Sequence, residues 1–119
     1  MHVTLLHEPE GNVIARGSYG GGPEAEFVVA EDGHVDFRVV GDSEVVWAGP
    51  NAEAFRRIAS AWSRYRGDVT ALVTVVEKAE RVRALRHELM QLGALPTDLP
   101  AHPEPLWSLV LFELENGLL

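Results

Sequence analysis

The hydrophobic pattern of the chain changes its period once, at Pro50-Asn51, and this change constrains the fold more than any other feature. Before it, apolar and polar residues alternate, as in the segment HVDFRVV over 34–40. After it, apolar residues recur every three or four positions. Period two is typical of half-buried strands, and period 3.6 is typical of amphipathic helices. The sequence therefore predicts a sheet followed by helices, which is the α+β class.

Turn-forming residues divide the first half into about five short strands. Breaks occur at the glycine run ending in Pro23 and at Glu31-Asp32-Gly33, which is a hairpin signal. Short connections favour an antiparallel sheet in which neighbours along the chain pair. The predicted strands are 2–8, 12–19, 25–31, 34–40 and 43–49.

Three helices are predicted in the second half, and all are expected to pack on the sheet. The first begins at the N-cap Asn51 and ends at Gly67. The second covers roughly 69–92 and is capped by Asp68. A connector with four prolines, which cannot be helical, separates it from the third helix over 106–116.

The third helix has a broad apolar face and lies within the segment EPLWSLVLFELENGLL over 104–119. Trp107 is near its start, and Gly117 is a left-handed stop followed by Leu118 and Leu119. We expect this helix to be buried against the sheet or between the sheet and the second helix. The predicted core face consists of Leu106, Trp107, Val110, Leu111 and Leu114.

The length and composition fit one globular domain over residues 1–119. The chain has no cysteine, which excludes disulfides and thiolate chemistry. It also lacks both an apolar run of membrane-spanning length and the pattern of a signal peptide, so we expect a cytoplasmic protein with no membrane contact.

The net charge of −8 is spread unevenly. Residues 1–49 have nine acidic and two basic side chains, whereas residues 50–95 have five acidic and eight basic ones. An acidic sheet argues against nucleic-acid binding, which needs Lys and Arg at phosphates, and suits a basic protein partner. The arginines of the helical half are expected to form salt bridges with nearby acids.

No motif predicts catalysis, a metal site or a cofactor. The five histidines have no ligand spacing typical of a metal site on one helix or strand face, and the loop GSYGGGP over 17–23 lacks the Lys of a phosphate-binding loop. No serine has the setting of a nucleophile elbow. We therefore expect a protein that is not an enzyme.

Two segments resemble the fourth family of SUKH proteins. The first is VVWAGPNAEAFRRIASAWSRY over 45–65, a strand, a small-residue turn and a helix with a Phe at its fifth position. The second is the tail PEPLWSLVLFELENGLL, with its early Trp, Glu113 and the pair Gly117-Leu118. One departure is Ala52-Glu53, at a place where the family usually has small hydroxyl residues.

The resemblance implies a curved sheet packed by helices and a role in bacterial immunity, akin to the Smi/Knr regulators of yeast in fold. Such proteins neutralise a toxin, typically a nuclease or a nucleic-acid deaminase, by direct contact. No binding residue is carried over from the family. On physical grounds we predict contacts from acids on strands and from an aromatic side chain in the glycine loop. These candidates are Tyr19, Glu24, Glu26, Asp36 and Glu44.

A second hypothesis is a regulatory or scaffolding module that binds proteins, either as a monomer or as a homodimer joined through the long helix. The sequence leaves the oligomeric state open.

Overall fold

The computed structural model describes residues 1–18, 22–70, 74–96 and 105–117. Its elements follow the predicted order, with all strands before all helices. They are β1 (His2–Glu10), β2 (Val13–Ser18), β3 (Glu24–Val29), β4 (Val35–Val39), β5 (Val45–Gly49), α1 (Ala52–Thr70), α2 (Val75–Gln91) and α3 (Leu106–Glu115). Each strand pairs antiparallel with its neighbour along the chain, in the order β1-β2-β3-β4-β5. The predicted α+β class is confirmed.

The strand register gives the sheet one apolar and one polar face. Ala15 pairs with Phe27, which pairs with Phe37, so these three side chains share the inner face and are buried. The Phe27 ring lies 4.8 Å from the ring of Phe55 in α1. Both α1 and α3 contact the sheet, which places the core between the helices and this inner face.

The last helix is buried, as its apolar face predicts. Trp107 is fully buried, and its indole Nε1 donates a hydrogen bond of 2.8 Å to the carbonyl oxygen of Ala48 in β5. Its ring also lies 5.9 Å from that of Trp62 in α1. Trp107 therefore joins the sheet to two helices. The expected contacts of residues 118–119 fall outside the described residues.

The predicted break between the first two helices is wrong. Gly67 does not end α1, which continues to Thr70. Asp68 therefore lies inside α1 and is not a cap. The N-cap of α2 is Thr74, whose hydroxyl accepts a hydrogen bond of 3.1 Å from the backbone N–H of Glu77. Residues 71–73, which the prediction placed in the second helix, are not among those described.

The other helix signals are confirmed. Asn51 accepts a hydrogen bond of 2.8 Å from the N–H of Ala54, so it caps α1 as predicted. Gly93 and Gly117 follow α2 and α3 with φ angles of 75° and 70°, a left-handed conformation that other residues rarely adopt. None of the helices in the described ranges has the length and apolar character needed to cross a bilayer.

Candidate protein-binding surface

The central row of the outer sheet face is charge-balanced rather than acidic. Arg16, Glu26 and Arg38 lie side by side across β2, β3 and β4. A guanidinium nitrogen of Arg38 lies 3.3 Å from a carboxylate oxygen of Glu26, and Arg16 pairs with Glu10 in β1. The Glu26 side chain is only 18% exposed. This predicted contact residue is thus engaged within the sheet.

Asp36 is similarly engaged, through a histidine that bridges two carboxylates. Its Oδ1 lies 2.8 Å from Nε2 of His34, while Nδ1 of the same ring contacts Asp32. Burial alone would lower the pKa of His34, but the hydrogen bonds with Asp32 and Asp36 outweigh it and raise the pKa above 6.5. The pKa of Asp32 is lowered, mainly by a hydrogen bond from the backbone N–H of His34 and next by one from the His34 ring. The cluster lies in the β3–β4 turn and at the start of β4.

This bridge makes the stability of the hairpin depend on pH. Because the pKa of His34 is raised in the folded state, protonated His34 stabilises the fold fully below its unfolded pKa of about 6.5. That contribution is lost as pH rises through the folded pKa. The substitution His34→Gln should therefore lower the free energy of unfolding most near pH 6 or just below, and less at alkaline pH. Urea unfolding of both proteins across this pH range measures the difference. A His34 pKa at or below 6.5 by NMR titration, or no downward shift in Asp36→Asn, would contradict this.

Two other predicted residues, Glu24 and Glu44, lie at the same end of the sheet, at the start of β3 and just before β5. The N–H of Val40 donates a hydrogen bond of 3.0 Å to the carbonyl oxygen of Glu24, which places β3 beside the β4–β5 loop. In that loop the N–H of Glu44 donates to a carboxylate oxygen of Asp42 at 3.1 Å. Val45 then pairs with Arg38 as β5 begins. We call the set Glu24, Val40, Asp42, Glu44 and Val45 the acidic end.

The acidic end combines exposed acids with exposed apolar side chains. Glu24, Asp42 and Glu44 are all exposed, and neither 22–24 nor 40–45 contains a basic residue. Val40 and Val45 are 54% and 44% exposed. Apolar residues bordered by charged ones are the usual anatomy of a protein interface. This surface can therefore accept hydrogen bonds from basic side chains and bury apolar area beside them.

Tyr19 lies outside the described residues, so the structure does not place it relative to the acidic end. Sequence reasoning missed the two valines and Asp42. Gly41-Asp42 lies between the predicted strands 34–40 and 43–49, and Val40 and Val45 lie within those strands. Gly41 has a positive φ of 91° in the loop between β4 and β5, and Val40 and Val45 flank the residues of this loop.

The helical arginines mostly bond to acids, in line with their expected role in salt bridges. Arg57 pairs with Glu53 at 3.1 Å within α1, and Arg81 of α2 lies 3.9 Å from Asp68 of α1. Two further pairs connect different helices. They are Arg64–Glu88 and Arg86–Glu115.

Across the described ranges, no three His, Cys, Asp or Glu side chains are grouped so that they could hold a metal ion. Comparison of the chain with protein-family models, with curated proteins and with solved structures finds no match.

Proposed function

We propose that this protein is a cytoplasmic, non-enzymatic immunity protein that binds and neutralises a bacterial toxin of the nuclease or deaminase type. Two lines support the proposal. One is the resemblance of residues 45–65 and 103–119 to the fourth SUKH family. The other is the acidic end, which is the single observation on which the mechanism depends.

The charge of the acidic end suits a toxin that acts on nucleic acid. Such a toxin needs basic side chains where it holds phosphates, and these side chains are available to carboxylates when no substrate is bound. Glu24, Asp42 and Glu44 would attract that surface over a distance and speed the encounter. Val40 and Val45 would then be buried in the complex, which would slow its dissociation.

The remaining predicted residues take different roles in this mechanism. Glu26 pairs with Arg38 across β3 and β4, and Asp36 contacts His34 in the β3–β4 turn, so substitution of either acid should act mainly on stability. Tyr19 stays a predicted contact. Neutralisation would follow because the bound protein occupies the site of the nucleic acid.

A charge-reversal experiment tests the proposal. The protein is co-expressed with the toxin domain encoded beside its gene, and host survival and association rate are measured. We expect the wild type to rescue the host. The variant Glu24→Lys/Glu44→Lys should not rescue it, and should associate with the toxin at least about tenfold more slowly than the wild type. Rising salt concentration should slow the association of the wild type with the toxin more than that of the variant.

The matched control is Glu77→Lys/Glu80→Lys, which makes the same charge change at two exposed positions of α2. It should rescue like the wild type. If both double variants lost rescue equally, the effect would come from the change in net charge. If Glu24→Lys/Glu44→Lys rescued the host as well as the wild type does, the acidic end would not be the toxin-binding surface. If the folded wild type did not rescue the host, the hypothesis of a regulatory module would be favoured. Sedimentation of the protein alone would then show whether it forms a homodimer.

A further inference from the structure

A groove lies between α2 and α3 and has a volume of about 640 Å³. Its floor is apolar, formed by Val75, Ala79 and Val82 of α2 beside Leu114 of α3. Val75 is 86% exposed, and Ala79 is exposed as well. The groove thus exposes two apolar residues, Val75 and Ala79, beside the buried Val82 and Leu114. It lies on the helices, away from the acidic end.

The spacing of the α2 residues is that of a coiled-coil seam. Positions 75, 79, 82 and 86 are separated by four, three and four residues, which is the alternation of d and a positions in a heptad. Lys78 then occupies a g position, and Arg83 occupies an e position. These two bases lie on opposite sides of the apolar floor, where a paired helix would place its own flanking residues.

The two flanking bases have no acidic partner in the part of the chain that the structure describes. Arg86, by contrast, is paired with Glu115 across the groove. Lys78 and Arg83 line the groove yet take part in none of the ion pairs between described residues. The apolar floor is therefore bordered on both sides by unpaired positive charge.

We propose that this groove binds an amphipathic helix of a partner protein that carries acidic residues on both sides of its apolar seam. Acids at the flanking positions would meet Lys78 and Arg83, and the apolar seam would cover Val75 and Ala79. Positions 75 to 86 span about 16 Å, or about three helical turns, and the exposed apolar residues Val75 and Ala79 lie in the first half of this span. A second copy docked through α2 suits the groove poorly, because its Lys78 and Arg83 would repel the same residues.

Two synthetic helical peptides of about three heptads test the charge requirement. Both have Leu at every a and d position; one has Glu at every e and g position, and the other has Lys there. Binding to the full chain is measured by fluorescence anisotropy of the labelled peptide at about 50 mM salt. We expect the Glu peptide to bind one per chain and at least about tenfold more tightly than the Lys peptide.

Variants then place the binding site. Lys78→Glu/Arg83→Glu should reverse the preference for the Glu peptide, while Arg56→Glu/Arg57→Glu, the same charge change on α1, should keep it. Ala79→Gln adds bulk on the exposed floor without charge and should weaken both peptides at least about tenfold. Thermal melts confirm that each variant is folded.

Equal affinity for the two peptides, no binding of either, or an unchanged preference in Lys78→Glu/Arg83→Glu would overturn the proposal. It does not rest on the immunity role, because the residues tested are different. A failure here would leave the test of the acidic end unaffected, and the reverse also holds.

Discussion

Replacing Trp107 with Ala should lower the free energy of unfolding by about 3–5 kcal/mol, the usual range for removing a buried aromatic side chain. Trp107 is fully buried and packs against Trp62, so its removal opens a cavity between α3, α1 and the sheet. The same change leaves the carbonyl oxygen of Ala48 without the indole donor at 2.8 Å. Urea unfolding monitored by far-UV circular dichroism measures the loss.

Phe112→Ala is the matched control, because Phe112 is an aromatic residue of the same helix but is 59% exposed. Its substitution should change stability far less. Trp107→Phe should fall between the two, since it keeps most of the apolar contact and loses the hydrogen bond. Stability unchanged in Trp107→Ala would mean that α3 does not anchor the fold.

The burial of α3, though not its exact position, was predictable from its apolar pattern. A helix with apolar residues over most of its surface must be covered, and in this chain α2, the sheet and α1 provide the cover. The five strands were predictable for a related reason. Their turns contain Gly or Asp at the positions that need unusual backbone angles, as at Gly33 and Gly41 with φ near 90°.

The break between α1 and α2 was not predictable from local signals. Glycine inside a helix costs only about 1 kcal/mol, which the packing of neighbouring residues can outweigh. Tyr65 is buried and Val69 packs against the core on either side of Gly67, so the helix continues through it. Helix propensity, which depends on each residue by itself, does not include these tertiary contacts and so could not predict that α1 continues.

The candidate site was only partly predictable, because pairing depends on strand register. The sequence shows that Glu26 is an acid on a strand, but not that it lies opposite Arg38. It likewise places Asp36 on a strand without showing its contact with His34, although the two are only two residues apart. Glu24 begins β3 and Glu44 directly precedes β5, and antiparallel pairing places both of these exposed acids at the same end of the sheet.

Gly17→Ala should lower the free energy of unfolding by about 3 kcal/mol or more, at or beyond the upper end for overpacking. A Cβ at Gly17 would lie 2.0 Å from the carbonyl oxygen of His2 in the paired strand β1. The obstacle is backbone, so no side-chain rotation relieves it, and β1 must move away from β2. That shift would also disturb the N-terminus, whose Met1 carbonyl oxygen accepts a hydrogen bond of 3.0 Å from the Trp62 indole.

Gly67→Ala is the matched control, and we expect it to have the opposite sign. Gly67 lies in α1, and nothing comes within 4 Å of a Cβ built on it. The added methyl group should therefore raise the free energy of unfolding by about 0.4–1 kcal/mol, mainly by restricting the unfolded chain. Both variants are measured by urea unfolding against the wild type. If Gly17→Ala were as stable as Gly67→Ala, the close approach of β1 to β2 would not be required by the fold; if Gly67→Ala were destabilising, α1 would end near Gly67 after all.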